Sequence, residues 1–336
     1  MTRRRILIFG FSNVATTNGF SVPLIERMQN SHPDVDMVRI GLGAHQPHVV
    51  PAYLRVANVL HGPFTDVLLE IHASAFSLSR LSTPEVATEL LRDTIHTAAE
   101  LGMRPSFMFH FRNWAGKRAL NFETLTHAFA AEYGIPVLDL GDGLAAELGE
   151  DRLISMLRDA AHTTDEGSAL FAERGEAFLT KLLQDDPQPA LDQVPLPTWR
   201  REPLELLELL PEATTAQVNA AGLPLSYALM TQEGSLTLDL GERLRVMALP
   251  FLYQPAGGRA ELRCDGGDPV AMTSIDPVSY YTRIGAHAFD FYRGTDMQTI
   301  EIGPISDAED VTLLRRPKTK PMVNFIGAPI VMRPTA

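Results

Sequence analysis

The sequence predicts an α/β domain, three layers built on a mostly parallel sheet with helices on both faces, followed by an all-β sandwich of jelly-roll type. Three observations predict it. In the first half, short apolar runs alternate with helix-like segments. A proline-rich stretch then breaks the pattern, and beyond it strand-like runs follow one another with no helices between them.

The runs Arg5 to Phe11 (RILIFGF), Val35 to Leu42 (VDMVRIGL), Asp66 to Ile71 (DVLLEI), Ser106 to Phe111 (SFMFHF) and Ile135 to Leu140 (IPVLDL) are short and nearly continuously apolar, as strands buried on both faces are. Between them lie segments with helix ends. Thr83 is a fitting N-cap with Pro84 in the first turn, Val86, Leu90, Leu91, Ile95, Ala98 and Ala99 form one stripe, and Gly102 terminates it. A second helix is expected from Asn121 to Gly134 and a third from Asp165 to Leu183, with Leu170, Ala177, Phe178 and Leu182 on one face. Strand, helix, strand in that order gives a sheet whose ligand site lies outside the carboxyl ends of its strands.

Five prolines between Gln184 and Pro203 resist regular structure, so residues 184–203 are expected to link a domain of residues 1–183 to one of residues 204–336. A short helix is expected from Trp199 to Leu210. After it Leu236, Leu238 and Leu240 alternate with polar residues, and further strands are expected at Arg245 to Tyr253, Arg259 to Cys264, Ala288 to Tyr292, Thr299 to Ile302 and Val311 to Leu314. Tyr280, Tyr281, Phe289, Phe291 and Tyr292 are expected to be core, with a sugar-stacking platform as the alternative.

Composition narrows the function classes. The 336 residues are 45% hydrophobic and 21% charged, which is a globular composition. Their length fits about two domains of roughly 150 residues each. With 29 Lys and Arg against 41 Asp and Glu the net charge is −12, so neither nucleic acid nor an anionic membrane surface is an expected partner. The single cysteine, Cys264, makes no internal disulfide and is expected to be buried. No apolar run approaches the length of about 18 residues that spans a membrane, and the N-terminus lacks a signal peptide's apolar core, so a cytoplasmic protein is expected.

Chemistry belongs where the parallel strands end. The first strand stops at Phe9-Gly10-Phe11-Ser12-Asn13, where Gly10 permits a sharp turn that presents Ser12 at the sheet's edge as a candidate nucleophile. A dinucleotide loop is excluded there by the lack of G-x-G-x-x-G. At the far end of the domain, Asp159 and His162 stand three apart before the last helix. That spacing lets the carboxylate reach one imidazole nitrogen and leaves the other to face a serine. The bland alternative makes Asp159 and Asp165 helix-start residues. Histidines His45, His48, His72 and His110 also fall near strand ends, but their spacing fits no metal motif, so neither metal nor cofactor is expected. His45, His72, His110, Arg112 and Asn113 are the weaker candidates for substrate contact.

In order along residues 3–183, four blocks resemble the SGNH (GDSL-type) hydrolases, a flavodoxin-like α/β family of esterases, lipases, thioesterases and carbohydrate deacetylases. Gly10-Phe11-Ser12 lies over the Gly-Asp-Ser block, Gly43 over the glycine after the second strand, Glu70 to Ala75 over Glu-Leu-Gly-x-Asn-Asp, and Asp159 with His162 over Asp-x-x-His. The resemblance implies a serine esterase acting on small acyl esters, carbohydrate esters among them. Ser12 would be the nucleophile, His162 the general base and Asp159 its orienting partner, with an oxyanion hole of Ser12, Gly43 and Ser74. Two positions depart from the pattern. Phe11 replaces an Asp, and Ser74 replaces the oxyanion-hole Asn, offering a shorter side chain with one proton rather than two. Losing a good oxyanion donor lowers turnover about 10²- to 10³-fold, unless His72 or Asn113 substitutes. The same residues would serve a sugar O-acyltransferase, and a non-catalytic carbohydrate-binding or interaction protein on this fold is the competing class. The β domain is left with substrate binding or assembly of a homo-oligomer.

Overall fold

The computed structural model describes residues 3–43, 45–73, 83–113, 120–290, 293–315 and 317–335. The chain divides into two units, Met1–Thr198 and Trp199–Ala336.

In the first unit strands β1 (Arg5–Gly10), β2 (Asp36–Gly41), β3 (Asp66–Glu70), β4 (Arg104–His110) and β5 (Val137–Leu140) form one sheet in the order β2-β1-β3-β4-β5. All four pairings are parallel. This is the flavodoxin-like order, with the switch point between β1 and β3. Each expected strand is present within two residues at either end. The helices are α1 (Ser12–Ala15), α2 (Ser21–Ser31), α3 (Val50–His61), α4 (Pro84–Glu100), α5 (Leu120–Tyr133), α6 (Asp142–Leu148), α7 (Glu150–Ser155) and α8 (Asp165–Asp185). Side chains alternate across β1. Ile6 and Ile8 join Leu24 and Met28 of α2 and Phe171 and Leu179 of α8 in one core, while the equally buried Leu7 and Phe9 face the other side. Helix α2 packs on α8, and α4 packs on both α3 and α5, which completes the three layers.

The proline-rich stretch is not a free tether. Helix α8 continues to Asp185, and residues 186–198 stay with the first unit. The Ala190 N–H donates to the Tyr133 carbonyl at 2.9 Å, and His96 Nε2 bonds the Val194 carbonyl at 2.9 Å. Trp199–Pro203, expected to begin a helix, is instead strand β6, and only Leu206–Leu209 is helical. The physical reason is non-local: β6 pairs antiparallel along its whole length with β15 (Ile330–Pro334), more than 120 residues onward in the chain.

The second unit holds a ten-stranded antiparallel sheet organised around β9 (Leu236–Tyr253), which pairs with four other strands along its 18 residues. Leu238, Leu249, Phe251, Leu262, Ile300 and Ile326 share its apolar core. Two expected strands are corrected. The one expected at 288–292 lies earlier, as β12 (Arg283–Ala288), and residues 311–314 form none. Leu313 instead fills a small separate cluster with Ile275 and Ala308. The aromatic group is also dispersed. Phe289 packs on the core, Arg283 lies 5.9 Å from the ring centre of Tyr281, and Arg315 lies 4.7 Å from that of Tyr280. Phe291 and Tyr292 lie outside the described residues. Cys264 is half-buried, and burial pushes its thiol up to about 11. Among the described residues no helix is long and apolar enough to cross a membrane.

Candidate active site

Ser12 opens α1 directly beyond the end of β1. It stands on a floor of two paired glycines, Gly10 of β1 and Gly41 of β2, which are register partners. A Cβ on Gly10 would lie 2.6 Å from Val14 Cγ2 and 2.7 Å from the Glu70 carbonyl oxygen, and one on Gly41 would lie 2.2 Å from the Ala15 nitrogen. Only hydrogen at both positions lets α1 settle onto the sheet. Ser12 is half-buried, and its carbonyl accepts the Thr16 N–H at 3.0 Å and the Thr16 hydroxyl at 2.6 Å.

The Asp159–His162 pair is formed. His162 Nδ1 donates to Asp159 Oδ2 at 2.8 Å and Oδ1 at 3.0 Å, and Asp159 Oδ1 also accepts the N–H groups of Ala161 and His162. Burial would raise the Asp159 carboxyl, but those two amides and the imidazole outweigh it and hold it below the usual range. With Nδ1 committed, Nε2 carries the lone pair that a general base needs. The loop is closed by the Arg158 N–H on the His162 carbonyl and by a bridge between Leu157 and Thr163.

This loop is moored to the segments that follow two sheet strands. The Asn113 N–H, beyond β4, donates to the Ala160 carbonyl at 2.8 Å. Asn18, beyond β1, accepts from Arg158 Nη1 and donates to Asp165, and its carbonyl accepts the Ser168 hydroxyl at 2.8 Å. His162 and Ser12 thus belong to loops tied to the same edge of the sheet. No hydrogen bond joins their side chains among the described residues. The Gly43 N–H bends back to the Gly41 carbonyl at 3.2 Å, and Ser74 lies outside the described residues.

Beneath the edge lies a buried polar layer. His72 is wholly buried, with ring centres of Phe109 and Phe122 at 4.1 and 5.1 Å, so it is a core side chain in this structure and not a lining one. His110 is buried against Phe20 and Phe171, and its Nδ1 donates to the Phe111 carbonyl at 2.9 Å. Burial lowers the His110 imidazole to about 4 and that of His72 well below its ordinary value, so both are neutral near pH 7. His45 and Arg112 are buried too, while Asn113 is exposed. Arg112 pairs with Glu123 of α5 at 2.9 Å. Among the described residues no three His, Cys, Asp or Glu side chains group as metal ligands do.

Sequence reasoning misses Glu123, whose ion pair needs the fold, and places Glu70 in a motif block without giving it a role, although a carboxylate closing an apolar strand is a signal. Glu70 is fully buried, and burial raises its carboxyl to about 8 against the opposing pull of the Phe11 and Ala73 amides and Arg112. Its folded-state value lies above the unfolded one near 4.5, so its contribution to stability is complete below about pH 4.5 and is lost as pH climbs through about 8. Glu70→Gln lacks this titration. The variant is expected to gain stability relative to wild type between pH 5 and pH 8 in denaturant melts. A difference that does not change with pH contradicts the assignment.

No protein-family model and no curated protein sequence matches the chain. Solved structures do. A two-domain esterase (CEX) active on acetylated mannans, co-crystallized with mannopentaose, is similar over 99% of this chain and 91% of its own, at 15% identity and a TM-score of 0.66. A lipase/acylhydrolase from Enterococcus faecalis covers 55% of this chain and 98% of its own, at 18% identity and a TM-score of 0.44. The esterase EstA from a Pseudoalteromonas species covers 54% and 99%, at 15% and 0.45. Over nearly its whole length, then, the chain shares the fold of a two-domain esterase, a flavodoxin-like α/β unit followed by an antiparallel β unit.

Proposed function

We propose that this chain is a serine esterase that removes small acyl groups from a carbohydrate. The observation that carries the reading is the Asp159–His162 pair, formed on a loop moored to the segments beyond β1 and β4, at the edge where Ser12 begins its helix. Ser12 Oγ attacks the acyl carbonyl while His162 Nε2 takes its proton. The imidazolium formed is stabilised by Asp159 and returns the proton to the leaving alcohol. The Ser12 N–H, in the first turn of α1, donates to the oxyanion, and the Gly43 N–H joins it on leaving the Gly41 carbonyl. Water then repeats the sequence on the acyl-enzyme. The Ser12–His162 bond closes in the substrate complex, since catalytic hydrogen bonds are often long before substrate binds.

The substrate class is supported by the neighbour of matching two-domain fold, which acts on acetylated mannans. The test has two parts. A fluorophosphonate, which reacts with activated serine hydroxyls, is expected to add one phosphonyl group, located on Ser12 by peptide mass spectrometry. Acetate release from acetylated mannan is expected to stop once that adduct forms. A label on another serine, or undiminished release from labelled protein, overturns the reading. The Gly43–Gly41 bond favours a second reading, a binding protein on the same fold, which predicts no label at all.

A further inference from the structure

We propose that Glu70 is a positioning residue that holds the loop bearing Ser12 to the loop that follows β3. The inference rests on the esterase reading for its effect on turnover, but its geometry stands apart from it. Glu70 is the last residue of β3 and the register partner of Gly10, the last of β1. A Cβ on Gly10 would lie 2.7 Å from the Glu70 carbonyl oxygen and 3.0 Å from its Cβ, so Glu70 is pressed against the turn that leads into Ser12. Its Oε2 accepts the Phe11 N–H at 3.5 Å, a long bond, and the Ala73 N–H acts from the other side to favour the charged carboxylate. These two amides immediately precede the nucleophile Ser12 and the oxyanion candidate Ser74.

Position 11 supplies no brace of its own, because the Phe11 side chain is an apolar ring wholly buried from water. A carboxyl group sealed from water is expensive unless its bonds are needed, and a leucine at the end of Asp-Val-Leu-Leu would pack more cheaply. Among the described residues Glu70 Oε1 is buried with no hydrogen-bond partner, so the group is not there to complete a satisfied network. The charged group that acts on it is Arg112, from beyond β4, itself tied to Glu123. One carboxyl thus meets a backbone amide on each side of the switch point, where separate loops have to keep a fixed spacing for attack and oxyanion capture.

The test pairs a spectroscopic readout with kinetics on the full chain. The ¹⁵N–H resonances of Phe11 and Ala73 are expected to titrate together with a midpoint near the Glu70 value of about 8, and to stay flat in Glu70→Gln. Glu70→Leu is expected to lower kcat about 100-fold with KM changed by less than about threefold. Glu70→Gln keeps an acceptor oxygen and is expected to recover most of that loss. Amides that do not titrate in wild type overturn the proposal, and so does a folded Glu70→Leu with wild-type kcat. If Glu70→Leu does not fold, the amide titration and the Glu70→Gln kinetics still decide. Should the amides titrate while Ser12→Ala turns over as fast as wild type, the link between loops is upheld and the esterase reading is what fails.

Discussion

Ser12→Ala and His162→Gln are each expected to lower kcat for p-nitrophenyl acetate by about 10⁴-fold or more, with both variants melting as wild type does. The size follows from the division of labour in the proposed mechanism. Without the hydroxyl there is no acyl-enzyme, and without Nε2 the hydroxyl remains a neutral alcohol that attacks poorly. Because the two act as one unit, Ser12→Ala combined with His162→Gln is expected to be no slower than Ser12→Ala alone. Asp159→Asn should be milder. The Asp159 side chain is 52% exposed and His162 29%, so water screens the ion pair that forms during turnover, and the amide still accepts from Nδ1. A loss of about 10² fits that geometry better than the 10⁴ of a sealed triad. Equal rates for wild type and Ser12→Ala would remove the hydroxyl from the chemistry.

The parts of this site that were legible in the sequence are those encoded within a few residues. Asp159 and His162 meet because three residues of turn bring them together, and Ser12 lies past a glycine that ends an apolar run. The five parallel strands are equally legible, since β1, β3 and β4 are buried on both faces and all five show as nearly continuous apolar runs. What stayed hidden depends on partners distant in sequence. Trp199–Pro203 is a strand only because β15 lies beside it. Asn18 mooring the His162 loop has no sequence signal beyond a polar residue in a turn. The place of His72 and Arg112 at strand ends points to pocket residues, but both side chains are buried. Polarity at a strand terminus therefore did not separate groups that meet substrate from groups that hold up the floor.

Gly41→Ala is expected to harm the proposed activity more than its size implies. The added methyl would lie 2.2 Å from the Ala15 nitrogen, 2.4 Å from its Cα and 2.7 Å from its Cβ. Two of these three atoms are backbone, so no rotamer change relieves the clash, and α1 has to lift from β2. Overpacking of this kind costs about 3 kcal/mol, which lowers Tm by roughly 6 to 12 °C in a domain of this size. Ser12 is the first residue of the displaced helix. A shift of about 1 Å at a nucleophile lowers kcat by about 10²-fold while leaving substrate binding largely intact. Gly258→Ala is the control, because its Cβ would lie 2.5 Å from Ile305 Cγ2 and 2.6 Å from the Ser306 carbonyl oxygen, within the β unit and remote in sequence from α1. It is expected to lose comparable stability and keep wild-type kcat when both variants are assayed well below their melting transitions. If Gly41→Ala loses stability but hydrolyses as fast as Gly258→Ala, the glycine floor serves folding alone and does not place the serine.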